Sequence, residues 1–374
     1  MPGRKQSVKN VTLMDVARAA DVAPMTVSRF LNRHPNISEK TARKVSAAIK
    51  RLGYSPNLAA RMLMGQPSNA IGLIVPNLGD PFFAVLAHNI QEAARDRGLL
   101  VWVASSNSDQ ATEFTVLRQM RQHRVDGILL IPSPGELPFE RGEGPPIVML
   151  DRPIANSGCD VVVVENRRSS MEAVQHLVSH GHRRITCISS DGAELYTTRE
   201  RIAGYEDAMR SHRLKPYIVT ECQTIDEVRA YLQAALAGPR PPQAVFSTNN
   251  VTTTHVMEAI FELNLVIPDD LALIGFDDFE LASMLRPSLT VVRQPSADLG
   301  RQAARMLFDR MFSDKSVSAV NISLPPTLIL RASCGCPNPR RAGFEQKKPS
   351  AAAINGTVTR RPAKRPSSRT TASV

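Results

Sequence analysis

No apolar run in this chain approaches the ~20 residues needed to cross a bilayer as a helix, although 43% of its 374 residues are hydrophobic. The opening MPGRKQSVKN also lacks the apolar core of a secretory signal, which predicts a cytoplasmic protein without membrane contact. Cysteine is sparse: five residues, at 159, 187, 222, 334 and 336, are too few and too irregular for a disulfide framework. Cys334-Gly335-Cys336 is the only close pair, and two thiols without further Cys or His partners do not close a tetrahedral metal site. Ordinary reduced thiols, no metal and no cofactor are therefore expected. His180 and His182 flank Gly181 at a helix end and read as capping residues. There is no P-loop, GxSxG elbow, HExxH or GxGxxG after a first strand, so the sequence predicts no enzyme.

Acidic residues are scarce at both ends. Residues 1–66 hold 12 Lys/Arg against 3 Asp/Glu, and residues 337–374 hold 9 against 1, so a net charge of +11 resolves into a head at +9, a tail at +8 and a middle at −6. A basic head on an acidic body is the charge pattern of a polyanion-binding module attached to a ligand-binding body. The tail is rich in Pro, Ser, Thr and basic residues and contains no Leu. That composition predicts disorder and supplies no coiled-coil heptads.

Within the head, Leu13, Val16, Ala17 and Ala20 fall at helical spacing, Asp21 breaks the pattern, and Val27, Phe30 and Leu31 resume it. The first helix has a capping-box start at Thr12 and Asp15, and the second has Pro24 at its first position, where a missing N–H costs little. Such a pair packs as a helix-turn-helix presenting Pro24 to Arg29 outward. A third helix follows Ser38, with Val45, Ala48, Ile49 and Leu52 on one face, and stops at Gly53. Pro56 then prevents simple continuation, Asn57 offers a new cap, and LAARML spans about two turns, too short to be stable alone in water.

From Ala70 the chain alternates apolar runs with amphipathic helices: AIGLIVP, a helix over 81–98, LLVWVAS, a helix near 111–123, DGILLIP and PIVMLD. The alternation resumes after residue 165 through RRITCISS, YIVT, AVFSTNN and LALIGFDD. Two tandem α/β units, each a parallel sheet covered by helices on both faces, are predicted. The helix at 296–312 and the strands near 319–331 are expected to be shared between the units.

LMDVARAADVAPMTVSRFLN, followed by NISEKTARKVSAAIKRLGYSPNLAARML, closely resembles the DNA-binding head and hinge of the LacI/GalR family of bacterial transcription regulators. IGLIVPNLGDPFF, HLVSHGHRRI, RIAGY, LIGFDD and PSLTVVRQPSADLG are similar to that family's effector domain, itself similar to periplasmic sugar-binding proteins. The resemblance covers about residues 11–333. It implies a multidomain protein, with a small all-α head and a two-lobed α/β body. The expected division is a basic arm (1–10), a helix-turn-helix domain (11–53), a hinge helix and linker (54–69), a ligand-binding and dimerisation body (70–336) and a disordered basic tail (337–374). Within the body, lobe 1 is expected at about 70–165 and 295–324, and lobe 2 at about 166–294 and 325–336.

The resemblance further implies a homodimer on a pseudo-palindromic double-stranded DNA operator, most simply as a repressor. Thr12, Pro24, Met25, Thr26, Ser28, Arg29 and Asn32 are the implied DNA-contact positions of the head, with Asn57, Ala60 and the wedging Leu63 in the hinge. Arg29 suits bidentate reading of guanine, whereas Met25 offers only apolar contact. Thr26 and Ser28 suit phosphate contacts. Asp21 stands where the family usually has Gly or Asn, at a turn where positive φ is expected, and Ala23 replaces the usual Ser or Thr cap.

For the effector the resemblance implies a carbohydrate or derivative held in the cleft between the lobes, with Phe83 as a stacking platform, Asp151 and Arg152 at a strand end, Arg201 as a polar clamp, Asn249 and Asp277. Arg201 and Asp277 are pictured as facing each other across that cleft. Asn249-Asn250 departs from the family's Asn-Asp, which removes a negative charge from that wall. The rival function is a free-standing solute-binding protein, against which the head and the absent signal argue.

Overall fold

The computed structural model describes residues 11–31, 34–55, 67–137, 144–192, 194–220, 222–312 and 318–337. The N-terminal arm, the hinge helix with Asn57, Ala60 and Leu63, the position of Asn32 and the basic tail lie outside them.

The head is built from its caps. Helix α1 (Leu13–Ala20) starts in a complete capping box: the Asp15 N–H donates to Thr12 Oγ1 at 3.3 Å and the Thr12 N–H donates to Asp15 Oδ2 at 3.0 Å. It ends at Asp21, held left-handed at φ 53°. The turn therefore does require positive φ, which Asp adopts at a cost that Gly would not bear. Helix α2 (Pro24–Leu31) begins at the proline, and α3 (Glu39–Leu52) runs from the Ser38 cap to Gly53. Val16, Ala17, Ala20, Val27, Val45 and Ala48 form the buried centre, with Phe30, Leu31 and Leu52 packed around it.

The body divides after Glu165, Gln294 and Pro325 into two units, so the chain passes three times from one to the other. Unit 1 contains β1 (Ala70–Val75), α4 (Pro81–Arg95), β2 (Leu100–Ser105), α5 (Gln110–Gln122), β3 (Gly127–Leu130), β4 (Ile147–Leu150) and β5 (Asp160–Val164). Much later in the chain it adds α10 (Ser296–Met311) and β11 (Asn321–Leu324). Its six strands run in the order β11-β5-β4-β3-β1-β2, all parallel. Ile71, Leu73 and Val75 point into one core layer with α4 and α10, and Ile74 points into the other with Leu117 and Met120 of α5.

Unit 2 contains α6 (Asn166–Ser179), β6 (Ile185–Ile188), α7 (Tyr196–Ser211), β7 (Tyr217–Val219), α8 (Ile225–Ala237), β8 (Ala244–Ser247), α9 (Asn250–Glu262), β9 (Ala272–Phe276), β10 (Thr290–Arg293) and β12 (Thr327–Ile329). Its order is β12-β10-β9-β8-β6-β7, parallel except for β12, which closes one edge antiparallel to β10. The α6–α7 packing is unusually close at Gly204, where a Cβ would lie 2.1 Å from the Arg167 carbonyl oxygen.

β5 and β10 lie outside the runs read as strands from the sequence. Among the described residues no helix separates β3, β4 and β5, so the strand–helix alternation that marks parallel strands fails there.

Candidate DNA-binding face and effector-binding clusters

On α2 the buried Val27 faces the head's core while Pro24, Met25 and Arg29 are exposed and Thr26 and Ser28 are half-buried. With Phe30 and Leu31 packed beside Val27, the helix keeps an inward stripe and leaves Pro24, Met25 and Arg29 on a free face. Thr12 is exposed, but its hydroxyl is engaged by Asp15 at 2.7 Å. The first turn of α2 is capped by backbone alone, the Thr26 N–H donating to the Ala23 carbonyl at 2.8 Å.

In unit 1, Ser133 follows β3 and Asp151 and Arg152 follow β4, placing all three at carboxyl ends of parallel strands, where open α/β sheets bind ligands. Asp151, at φ 64°, and Arg152 are buried beside Ser133 and Glu113 of α5. The Ser133 N–H donates to Glu113 Oε2 at 2.6 Å. Arg152 Nε lies 3.4 Å from Asp151 Oδ2, yet Arg152 Nε and Nη1, Asp151 Oδ1 and Ser133 Oγ have no hydrogen-bond partner among the described residues. Burial pushes the Glu113 carboxyl above the usual carboxylate range, against the opposing pull of its Ser133 hydrogen bonds and the Arg152 charge. Buried polar atoms left unpaired are costly, and a cluster of them marks a place built for a partner.

In unit 2 a second cluster also stands at strand ends. Arg201 of α7 donates through Nε to Asn166 Oδ1 at 2.8 Å and through Nη1 to the Thr248 carbonyl at 2.7 Å. Its guanidinium carbon sits 3.7 Å from the centroid of the Phe276 ring. Asp277, the residue after β9, adopts φ 75°, accepts from Gln294 Nε2 and lies 4.0 Å from Arg201 Nη1. Asn249 caps α9 by accepting the Thr252 N–H at 2.7 Å and donates through Nδ2 to Asp191 Oδ2 at 2.7 Å. Gly204, one turn after Arg201, is what lets α7 approach α6 closely enough for the Asn166 contact.

Residues 12–57 match the family described as bacterial regulatory proteins, lacI family, and residues 174–334 match the periplasmic binding protein-like domain. The chain is 34% identical to the HTH-type transcriptional regulator DegA of Bacillus subtilis over 332 residues, covering 86% of this chain and 97% of that protein. The chain belongs to the LacI family. It is likewise 32% identical to the ribose operon repressor of Escherichia coli K12, over 86% of this chain and 99% of the relative. The Lac repressor dimer bound to operator and the anti-inducer ONPF superposes with a TM-score of 0.76 at 26% identity, covering 87% of this chain and 99% of that one.

As a LacI-family member the protein is a DNA-binding transcription regulator, and the helix-turn-helix match disposes of the free-standing solute-binding alternative. Members of this family are regulators, not enzymes. No helix among the described residues is long and apolar enough to cross a membrane.

Phe83 is buried in the unit 1 core, edge-on to Phe82 with ring centroids 5.1 Å apart, so its ring is not an open stacking platform; Phe82 is the partly exposed member of the pair. Arg201 and Asp277 do not face each other across a cleft: both belong to unit 2, as neighbours in one cluster. The wall near Asn249 does not lack negative charge, because Asp191 brings a carboxylate to it from after β6.

The thiols of Cys334 and Cys336 do have histidine partners. His180, read as a helix-capping residue, and His176 of the same helical stretch meet them in space.

Glu113, Asp191, Asn166 and Gln294 were not singled out from the sequence. For Glu113 a signal existed, since it shares a helical stripe with the buried Leu117 and Met120, and a carboxylate on an apolar stripe needs a reason. For Asp191 there was none, because its partner is 58 residues away.

Proposed function

We propose that this LacI-family protein is a cytoplasmic repressor that binds a pseudo-palindromic operator as a homodimer and is controlled by a small sugar or sugar derivative, without catalysing a reaction. The observation that carries the DNA-binding half is α2, whose buried Val27 fixes it to the head while Arg29, Met25 and Pro24 stand exposed. In the major groove Arg29 donates two hydrogen bonds to guanine O6 and N7, worth about 1–3 kcal/mol of discrimination. Met25 offers apolar contact to a thymine methyl, and Thr26 and Ser28 fix register on phosphates. Thr12 serves chiefly to hold the start of α1 beside the backbone. Asn32 and the hinge residues Asn57, Ala60 and Leu63 remain proposed DNA contacts on the family resemblance, Leu63 as a minor-groove wedge.

The effector half rests on the polar clusters of unit 1 and unit 2. Asp151 and Arg152 carry unpaired buried polar atoms, and Arg201, Asp277 and Asp191 offer charged groups and Asn249 a neutral amide at strand ends. Such groups suit a ligand rich in hydroxyls, each of which donates and accepts. The name of the ribose operon repressor points the same way. Dimerisation is supported by the likeness to the Lac repressor dimer, and the exposed apolar side chains Phe261 (81%), Leu281 (60%) and Met284 (62%) of unit 2 offer a second copy apolar surface.

The test is a mobility-shift assay with genomic fragments at physiological salt, followed by a thermal-shift screen of sugars, sugar acids, sugar phosphates and nucleosides on the full chain. Retention of a specific fragment, and its release or tightening by a compound that also raises Tm, is expected. If no fragment is retained above non-specific background, the operator reading is wrong. If no carbohydrate shifts Tm, the ligand class is wrong.

A further inference from the structure

One side-chain cluster in unit 2 belongs neither to the reading face nor to the strand-end clusters. His176 lies in the last turn of α6 and His180 follows one turn later, the helical path continuing as the His180 N–H donates to the His176 carbonyl at 3.3 Å. Their rings stand edge to face with centroids 4.7 Å apart. Cys334 and Cys336 arrive from the far end of the chain, just after β12 and Arg331. His176 Nε2 is 3.3 Å from Cys334 Sγ and 3.4 Å from Cys336 Sγ, and His180 Nε2 is 3.2 Å from Cys336 Sγ. The four candidate ligand atoms all lie within 4.8 Å of one another.

We propose that His176, His180, Cys334 and Cys336 form a tetrahedral Zn2+ site that fastens the segment after β12 to the end of α6. Ideal Zn–S and Zn–N bonds of about 2.3 and 2.05 Å at tetrahedral angles place N and S about 3.6 Å apart. The observed N···S separations of 3.2–3.4 Å differ from that by a few tenths of an ångström. The two thiolates carry −2, two neutral imidazoles add none, and the sum offsets the metal's +2, which suits a half-buried location. A Rieske-type [2Fe–2S] cluster also takes two Cys and two His, but on different irons, which would hold each nitrogen well away from each sulfur; His N to Cys S separations of 3.2–3.4 Å fit a single shared ion. Mixed S2N2 donors favour Zn2+ over the hard cations, which take oxygen.

The local chain is shaped for convergence. Gly335 adopts φ +100°, a conformation that L side chains rarely take, and so turns both flanking thiols toward the histidines. A Cβ on it would also stand 3.5 Å from His180 Nδ1. Cys334 is fully buried, and its Sγ accepts from the Thr290 hydroxyl at 3.2 Å. A hydroxyl donating to a ligating thiolate is the kind of outer contact that orients a metal ligand and stabilises its charge. The sequence could show the Cys-x-Cys and the His-x3-His separately, but only folding joins them.

The experiment uses the untagged full-length chain, purified under reducing conditions, stripped with chelator and reloaded with Zn2+ or Co2+ alone. Metal analysis should find one Zn2+ per chain. Co2+ should give the intense visible bands of tetrahedral coordination together with a thiolate-to-metal charge-transfer band. Cys336→Ser and His180→Asn change partly or fully exposed side chains, so both variants should fold, as checked by circular dichroism. Each should lower Zn2+ affinity by more than the roughly 10- to 100-fold expected for losing an outer-shell partner. A weak octahedral Co2+ spectrum, sub-stoichiometric zinc after reloading, or affinity unchanged in both folded variants would each overturn the site. So would a Cys334–Cys336 disulfide that persists in the reduced, metal-free preparation.

Discussion

The double substitution Asp151→Asn with Arg152→Met separates a residue kept for ligand from one kept for stability. Asp151 and Arg152 are buried, at 3% and 9% exposure, and meet at 3.4 Å without a hydrogen bond from Arg152 Nε or Nη1. An ion pair so placed pays desolvation on both sides and recovers little of it in geometry, so replacing both partners by neutral side chains of similar volume is often neutral or stabilising, by up to about 1–4 kcal/mol. Asn is the right replacement at position 151, because it tolerates the left-handed backbone at φ 64°. Losing the Arg152 charge also removes one of the forces holding the Glu113 pKa down, so that carboxyl should move further up.

Urea unfolding of the full chain should therefore show the variant no less stable than the parent. Effector affinity should fall, since each charge-assisted hydrogen bond lost to ligand is worth about 1.5–3 kcal/mol, or roughly a 10- to 150-fold rise in Kd by calorimetry. Loss of several kcal/mol of stability with effector affinity intact would refute the reasoning and make the pair structural.

Thr12→Ala removes one arm of the α1 capping box and should destabilise the head by about 0.5–2 kcal/mol, read as a lower midpoint for head unfolding by circular dichroism. An unchanged midpoint would mean the box contributes nothing. Asp278 is held by Arg331 at 2.9 Å and by Arg293, and although burial opposes it, these hydrogen bonds and charges hold the Asp278 carboxyl below the usual carboxylate range. Because the folded pKa lies below the unfolded one, the stabilisation is complete above the ordinary Asp pKa and is lost as pH falls through the depressed value. The stability gap between parent and Asp278→Ala should be widest near neutrality, about 3 kcal/mol, and narrow in acid; a gap that widens in acid would reverse the assignment. Leu281→Arg, at a 60% exposed apolar position, should convert the dimer to monomer in sedimentation velocity without lowering the Tm of an isolated chain, and a dimer that persists places the interface elsewhere.

Much of the scaffold was legible because it is set locally. Thr12 with Asp15, Pro24, Ser38 and Gly53 mark helix ends by the hydrogen bonds and dihedrals of a few adjacent residues, and each stands where the chain turns. The fully buried strands of the sheets, such as β1, read as continuous apolar runs because both faces are covered. β5 escaped notice for the corresponding reason: the rule that finds parallel strands looks for the helix between them, and none of the described residues between β4 and β5 is helical.

The candidate sites divide the same way. By itself the sequence determined the outward face of α2, whose register follows from helical periodicity once Val27 is inward, and the family, whose motifs occur as contiguous words. Only the tertiary structure decided which polar groups share a site. It buried Phe83, seated Asp277 beside Arg201 in one unit, brought Asp191 to Asn249, and carried Cys334 and Cys336 across more than 150 residues of chain to His176 and His180. Those meetings depend on sheet order and on how closely helices pack, as at Gly204, and neither is encoded by spacing along the chain.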